Sequence, residues 1–213
     1  MATKGSAAKQ VEITAPNMRE AHFRLIGIAP YVQLRFGEKA INAMKENMMA
    51  GSQAKKGKKK EPRDFDEDYR QACHISTEGW HGVPASAFRN ALISACRLVG
   101  FQMTKAKLGV FVEADGVDVI DGTPLVKIEG TPEHVEHYAR NANGGTDIRV
   151  RAMWREWSLV LRVRFDADMF SLKDIANLLN RVGAQVGIGE GRPDSKQSAG
   201  MGWGMFTITG GDQ

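Results

Sequence analysis

The chain predicts an α+β fold, with helices packed on one face of an antiparallel sheet, and three observations carry that expectation. Segments of period-two alternation lie on both sides of a helical stripe at Phe88, Leu92, Ala95 and Val99. A second stripe, Leu172, Ile175, Leu179 and Val182, precedes one more strand-like segment. The 213 residues are 42% hydrophobic and 25% charged, ordinary globular usage that excludes collagenous and wholly disordered chains.

Residues 1–19 predict a flexible tail, and residues 20–213 a single domain. From His22 to Phe36 the pattern is that of a strand, Phe23 and Leu25 alternating with His22 and Arg24, with a bulge or bend near Pro30. Glu38 to Ala50 is helical, with Ile41, Met44 and Met48 at i, i+3 and i+7. It runs into a Gly/Ser/Lys segment at 51–63, inside an insertion at about 45–70 that has nothing to bury and predicts a mobile loop. Pro84 opens the clearest helix, where its missing N–H costs nothing, and Gly100 stops it after Val99. Gly109 to Glu113 and Val117 to Ile120 predict two strands joined by a turn at 114–116, and Leu125 to Ile128 another. Residues 131–147 are polar and predict an excursion. Ile148 to Met153 and Ser158 to Phe165 alternate as half-buried antiparallel strands, with Arg149, Arg151, Arg162 and Arg164 on an open face. Ser171, with Asp174 three residues on, caps the second helix, and Gly183 ends it. A glycine-rich stretch then leads into a last strand, Trp203 to Ile208. The order is βαββαβ, a modified ferredoxin-like (RRM-like) plan with a basic insertion before the first helix and a glycine-rich loop before the last strand.

The net charge of +4 is unevenly spread. Lys55, Lys56, Lys58, Lys59, Lys60 and Arg63 stand against the single acid Glu61, a local +5 that leaves the other residues together at −1. A basic arm of this kind neutralises phosphates and releases counterions, giving affinity for nucleic acid that does not depend on sequence. The acids Asp64, Asp66, Glu67 and Asp68 follow at once and can pair with the lysines when no ligand is bound.

Seven glycines fall between Gly183 and Gly204, including Gly187, Gly189 and Gly191, with Arg192 and Lys196 beside them. They follow a helix and precede a strand, the reverse of a dinucleotide-binding loop, and no P-loop pattern is present. Glycines here admit close approach of a ligand backbone, and the basic residues suggest that it is anionic. Trp154 and Trp157 either stack bases or cover a core edge. His74 and His81 flank Trp80, and His134 and His137 sit three apart, a spacing too sparse to define a metal site. The two cysteines, Cys73 and Cys96, form no C-x-x-C pair. No cofactor or metal is expected. No apolar run reaches membrane-spanning length and the first residues lack a secretory core, so a soluble, cytoplasmic protein is expected.

A helix followed by Gly187-Ile-Gly189-Glu-Gly191-Arg192 and Gly200-Met-Gly202-Trp203-Gly204, then a closing strand, resembles the signature of the RAMP superfamily of CRISPR-associated RNA-binding proteins. Gly82-Val-Pro-Ala-Ser-Ala-Phe-Arg-Asn-Ala-Leu92 is similar to the way that superfamily opens its first helix. The likeness covers about residues 20–36 and 80–208 and is nearest to the crRNA-binding backbone subunit, although the chain is short for one. It implies a non-catalytic protein that assembles side by side along a guide RNA, with copies of itself and other effector subunits, in an antiviral ribonucleoprotein. A phage or mobile-element relative using the fold for another nucleic acid, or for assembly alone, is equally allowed. Nucleic acid, single-stranded RNA or DNA, would then be held by the lysine arm, the arginine rows, the glycine loop, Arg192 and Lys196. The rival reading is a metal-independent endoribonuclease that processes guide RNA, with His74 or His81 as general acid or base.

Overall fold

Alternation decides the first element. In β1 (Met18–Gly27) Ala21, Phe23 and Leu25 are buried, while Glu20, His22 and Arg24 face water. The chain continues through β2 (Tyr31–Gln33), α1 (Glu38–Ala50), α2 (Phe65–Ala72), β3 (Gly82–Pro84), α3 (Ala85–Cys96), α4 (Met103–Gly109) and β4 (Val110–Glu113). It goes on through β5 (Gly116–Val117), β6 (Pro124–Lys127), β7 (Glu133–Arg140), β8 (Thr146–Trp154), β9 (Ser158–Asp166), α5 (Leu172–Arg181) and β10 (Phe206–Asp212). The computed structural model describes residues 13–35, 37–50, 62–140, 144–195 and 199–212.

The architecture is α+β. Three antiparallel sheets run β10-β1-β9-β4, β2-β8-β7 and β3-β6-β5. In the largest, Phe23 lies opposite Leu161 and Leu25 opposite Leu159, so the buried sides of β1 and β9 coincide. Helices α3 and α5 cover that side with Phe88, Leu92 and Ala95 from one and Ile175, Leu178 and Leu179 from the other. Helix α3 ends through a short 3-10 turn, with Gly100 in the left-handed region at φ 71°. The Ser171 hydroxyl accepts from the Asp174 N–H while Asp174 accepts from the Ser171 N–H, the reciprocal cap expected for α5.

Several expectations need correction. The segment 22–36 is two strands in two sheets. The chain leaves β1 at Gly27, where the Trp157 indole leaves no room for a side chain, and Tyr31–Gln33 pairs with β8. The tail is shorter than 1–19, because Met18 and Arg19 already pair with Asp166 and Phe165. The insertion at 45–70 is largely helical at both ends: α1 reaches Ala50, and Asp64 caps α2 by accepting the Glu67 N–H at 3.0 Å. The acids there are that helix's first turn, where its dipole favours them. Residues 109–120 do not form a hairpin, since β4 joins the four-stranded sheet and β5 pairs with β6. The polar excursion contains β7, an edge strand whose backbone pairs along the whole of β8. Strands β8 and β9 are not partners, so their arginines share no face. The intervening Trp157 is buried and donates its Nε1–H to the Ala29 carbonyl, pinning the crossover between sheets.

Candidate nucleic-acid interface

After α5 the helix loosens into a π-type turn at 182–186, and the chain enters the glycine loop. The loop is fastened onto β2: the Glu190 N–H donates to the Val32 carbonyl at 2.9 Å, and the Gly204 N–H to the Pro30 carbonyl at 2.7 Å. Two glycines show why side chains are excluded. Gly204 has φ +69°, and a Cβ there would run into the Ile188 carbonyl oxygen. Gly189 has φ +75°, and its Cβ would lie 2.6 Å from both the Tyr31 ring and the Val32 carbonyl. The expectation that these glycines open space for a ligand is thus corrected: the space is taken by the protein's own backbone.

What the loop does is deliver side chains to the outer face of the β2-β8-β7 sheet. His137 lies opposite Arg149 and Val135 opposite Arg151, so the arginines and His137 share that face. Glu190 receives two hydrogen bonds from Arg151 at 2.8 and 2.7 Å, and Arg149 Nη1 stands 3.9 Å from the same carboxylate. The Arg151 guanidinium lies 6.0 Å from the centre of the Trp203 ring, and the His137 ring 5.4 Å from it. Arg192 donates to the Gly189 carbonyl at 2.9 Å, bracing the loop from within. Arg149 and Arg151 together outweigh the single Glu190 carboxylate, while Arg192 lies near enough to Asp194 to help hold that carboxyl below its usual range. Burial, and then the Arg151 charge, hold the His137 imidazole below its usual range, which keeps it neutral at pH 7. Among the described residues no acceptor meets the N–H groups of Gly189, Gly191 and Arg192.

The structure therefore gathers Arg149, Arg151, Gly187, Gly189, Gly191 and Arg192 at one place, and separates Arg162 and Arg164 from them. Arg162 donates to Asp115 at 3.0 Å and to the Ala114 carbonyl, while Arg164 pairs with Glu113 at 2.7 Å and lies over the Phe111 ring. Both are neutralised on the open face of the large sheet. Arg63 is a clamp: it holds Asp68 at 2.7 Å, Asp147 at 3.2 Å and the Ile148 carbonyl at 2.7 Å, tying α2 to β8. Lys55, Lys56, Lys58, Lys59, Lys60 and Lys196 lie outside the described residues. Sequence reasoning missed Glu190 as the acid that joins loop to sheet; an acid between Gly189 and Gly191 was the available signal.

The tryptophans and histidines resolve differently. Trp154 and Trp157 are buried, so both belong to the core. His81 packs edge-on to Trp154 with ring centres 5.7 Å apart, and burial lowers its pKa. His74 places Nδ1 2.7 Å from Asp118, whose carboxylate also lies near Arg35 and accepts the Ile120 N–H. That contact makes Nε2 the free ring nitrogen, on a side chain only 13% exposed. His134 and His137 point to opposite faces of β7, as an odd spacing on a strand requires, so they cannot share a metal. Among the described residues no group of three His, Cys, Asp or Glu is placed to hold one, and no helix is long and apolar enough to cross a membrane. No family model matches the chain, and no curated protein matches it.

Proposed function

We propose that the protein binds single-stranded nucleic acid, with guide RNA as the expected form, on the outer face of the β2-β8-β7 sheet, does not cleave it, and assembles side by side along it in the manner of RAMP-superfamily backbone subunits. The observation that carries the reading is the half-exposed Arg149 beside Arg151 on that outer face, with the Trp203 ring 6.0 Å from the Arg151 guanidinium. Guanidiniums supply phosphate contacts and the indole a surface for a base. The N–H groups of Gly189, Gly191 and Arg192, which meet no acceptor among the described residues, are the kind of backbone donors that form anion-binding concavities. The strand order β10-β1-β9-β4, with α3 and α5 in the two crossovers, supports a ferredoxin-like ground plan for the largest sheet.

One observation favours the second reading. The His74–Asp118 pair has the orientation of an imidazole readied for proton transfer, which an endoribonuclease needs. A single experiment separates the two. Labelled RNA and DNA of equal length are titrated by fluorescence anisotropy over a salt series, and the RNA is then inspected for cleavage after hours. Arg149→Ala should reduce the log–log salt slope by about 0.7, the share of one single-strand phosphate, whereas Arg164→Ala should leave it unchanged. Cleavage that disappears in His74→Ala would install the nuclease instead, and equal slopes in all three proteins would remove the arginine patch from the interface.

A further inference from the structure

Glu190 is an acid set among arginines on the outer face of the β2-β8-β7 sheet. Its carboxylate receives two hydrogen bonds from Arg151, at 2.8 and 2.7 Å, and stands 3.9 Å from Arg149 Nη1. The backbone beneath it is fixed: the Glu190 N–H donates to the Val32 carbonyl, and Gly189 and Gly191 on either side hold φ +75° and +70°. A negative group so placed lowers the attraction of this face for phosphate, so neutralising a strand does not explain its presence there.

The Arg151 side chain is 8% exposed and is committed to Glu190, whereas the Glu190 side chain is 27% and that of Arg149 39% exposed. A carboxylate offers about four acceptor sites and no donor. Arg151 fills one on each oxygen, so pairing accounts for the buried guanidinium and still leaves acceptor capacity where water reaches the carboxylate. Arg149 is beyond hydrogen-bond reach of Glu190 and keeps its guanidinium for a phosphate.

A strand with a phosphate on Arg149 brings a sugar against Glu190, because each phosphate is bonded directly to the sugars on both sides of it. Phosphate and ring oxygens only accept hydrogen bonds, and an acceptor-only group gains nothing from them. The ribose 2′-hydroxyl is the one donor in the sugar–phosphate backbone of an internal nucleotide, and deoxyribose lacks it. We propose that Glu190 accepts the 2′-hydroxyl of a ribose whose phosphate is held by Arg149, and so makes this face select RNA over DNA. Arg151 fixes the direction of the carboxylate, so the acceptor is oriented before the strand arrives. The inference rests on the nucleic-acid part of the proposed function and not on its assembly part.

The test is fluorescence anisotropy of the full chain with labelled oligouridine of one length, made with ribose, 2′-deoxyribose or 2′-fluoro sugars. Fluorine keeps the pucker of ribose but offers no proton, so it separates the donor from the shape of the sugar. Wild type should bind the ribose strand about tenfold or more tightly than either of the others, the scale of a hydroxyl bond to a charged group. Glu190→Gln should bring the three affinities together. Equal affinity of wild type for ribose and deoxyribose strands would overturn the proposal, and a base donor, which DNA shares, would give that result. A 2′-fluoro strand bound as tightly as the ribose strand, or a wild-type ratio kept by a folded Glu190→Gln, would overturn it as well. If Glu190→Gln disturbs the circular dichroism spectrum, the 2′-fluoro comparison on wild type decides alone. Binding of none of the three strands would remove the nucleic-acid reading and this inference with it, whereas tight and equal binding removes only the role of Glu190.

Discussion

The phenol of Tyr31 and the thiol of Cys73 are neighbours in the core, and both resist ionisation. Burial drives the Tyr31 pKa up against the lowering effect of its Gln33 hydrogen bond, and burial pushes the Cys73 thiol up to about 11. Above the ordinary thiol pKa of 9.0 the unfolded chain releases that proton while the folded chain keeps it. The unfolded state then binds fewer protons, so stability is complete below pH 9.0 and falls as the pH rises toward 11. Urea midpoints should therefore decline across this window, and Cys73→Ala should remove roughly 1.4 kcal/mol per pH unit of that decline. An unchanged slope in the variant would show that the thiol does not carry it. Arg35, buried with Asp118 and 3.1 Å from Asp121, belongs to a cluster that closes the end of β2 against the 118–121 turn. Hydrogen bonds from Thr123 and Arg35 hold the Asp121 carboxyl down to about 2.

At the scale of elements, the glycine loop is a built object. Gly204 and Gly122 share nearly the same left-handed φ, +69° and +70°, but no atom lies within 4 Å of a Cβ at Gly122, whereas Gly204 meets the Ile188 carbonyl. Gly122→Ala should cost about 1–2 kcal/mol, the penalty of a side chain in that region. Gly204→Ala adds a backbone collision and should exceed about 4 kcal/mol, visible as loss of the cooperative thermal transition. Equal costs would mean that the loop moves aside freely and is not fastened to β2. The alternation of β1 and β9, the stripes of α3 and α5, and the Ser171 cap were legible because each is a local pattern with one buried face. Strand β7 was not. His134, Glu136 and Tyr138 carry no apolar signal, and the strand exists because β8 offers a full row of hydrogen-bond partners.

Across the whole molecule, cationic charge is divided between the lysines at 55–60 and the patch around Arg149, and Arg63 does not belong with the lysines, since it is spent on Asp68 and Asp147. Deleting residues 52–61 while keeping Arg63 should lower the salt slope of RNA binding by about 0.7 for each phosphate that the shortened chain no longer neutralises, without lowering the melting temperature. Deletion of Arg63 as well should destabilise the fold, because α2 is then untied from β8. If the short deletion leaves the slope intact, the lysines are bystanders to binding.

The sequence by itself determined the α+β class, the two long core helices with the Ser171 cap and the Gly100 stop, the alternating faces of β1 and β9, and the place where glycines cluster, because each follows from neighbouring residues in the chain. The stop expected at Gly183 was not among them, since the helical path runs on through a π-type turn to Gly187. Only the tertiary structure decided that Arg149 and Arg151 belong with Glu190 while Arg162 and Arg164 belong with Asp115 and Glu113. Strand partners are chosen by whole faces and crossovers, so arginines close together in the chain were sent to different sheets, and Arg151 was brought to a carboxylate 39 residues away.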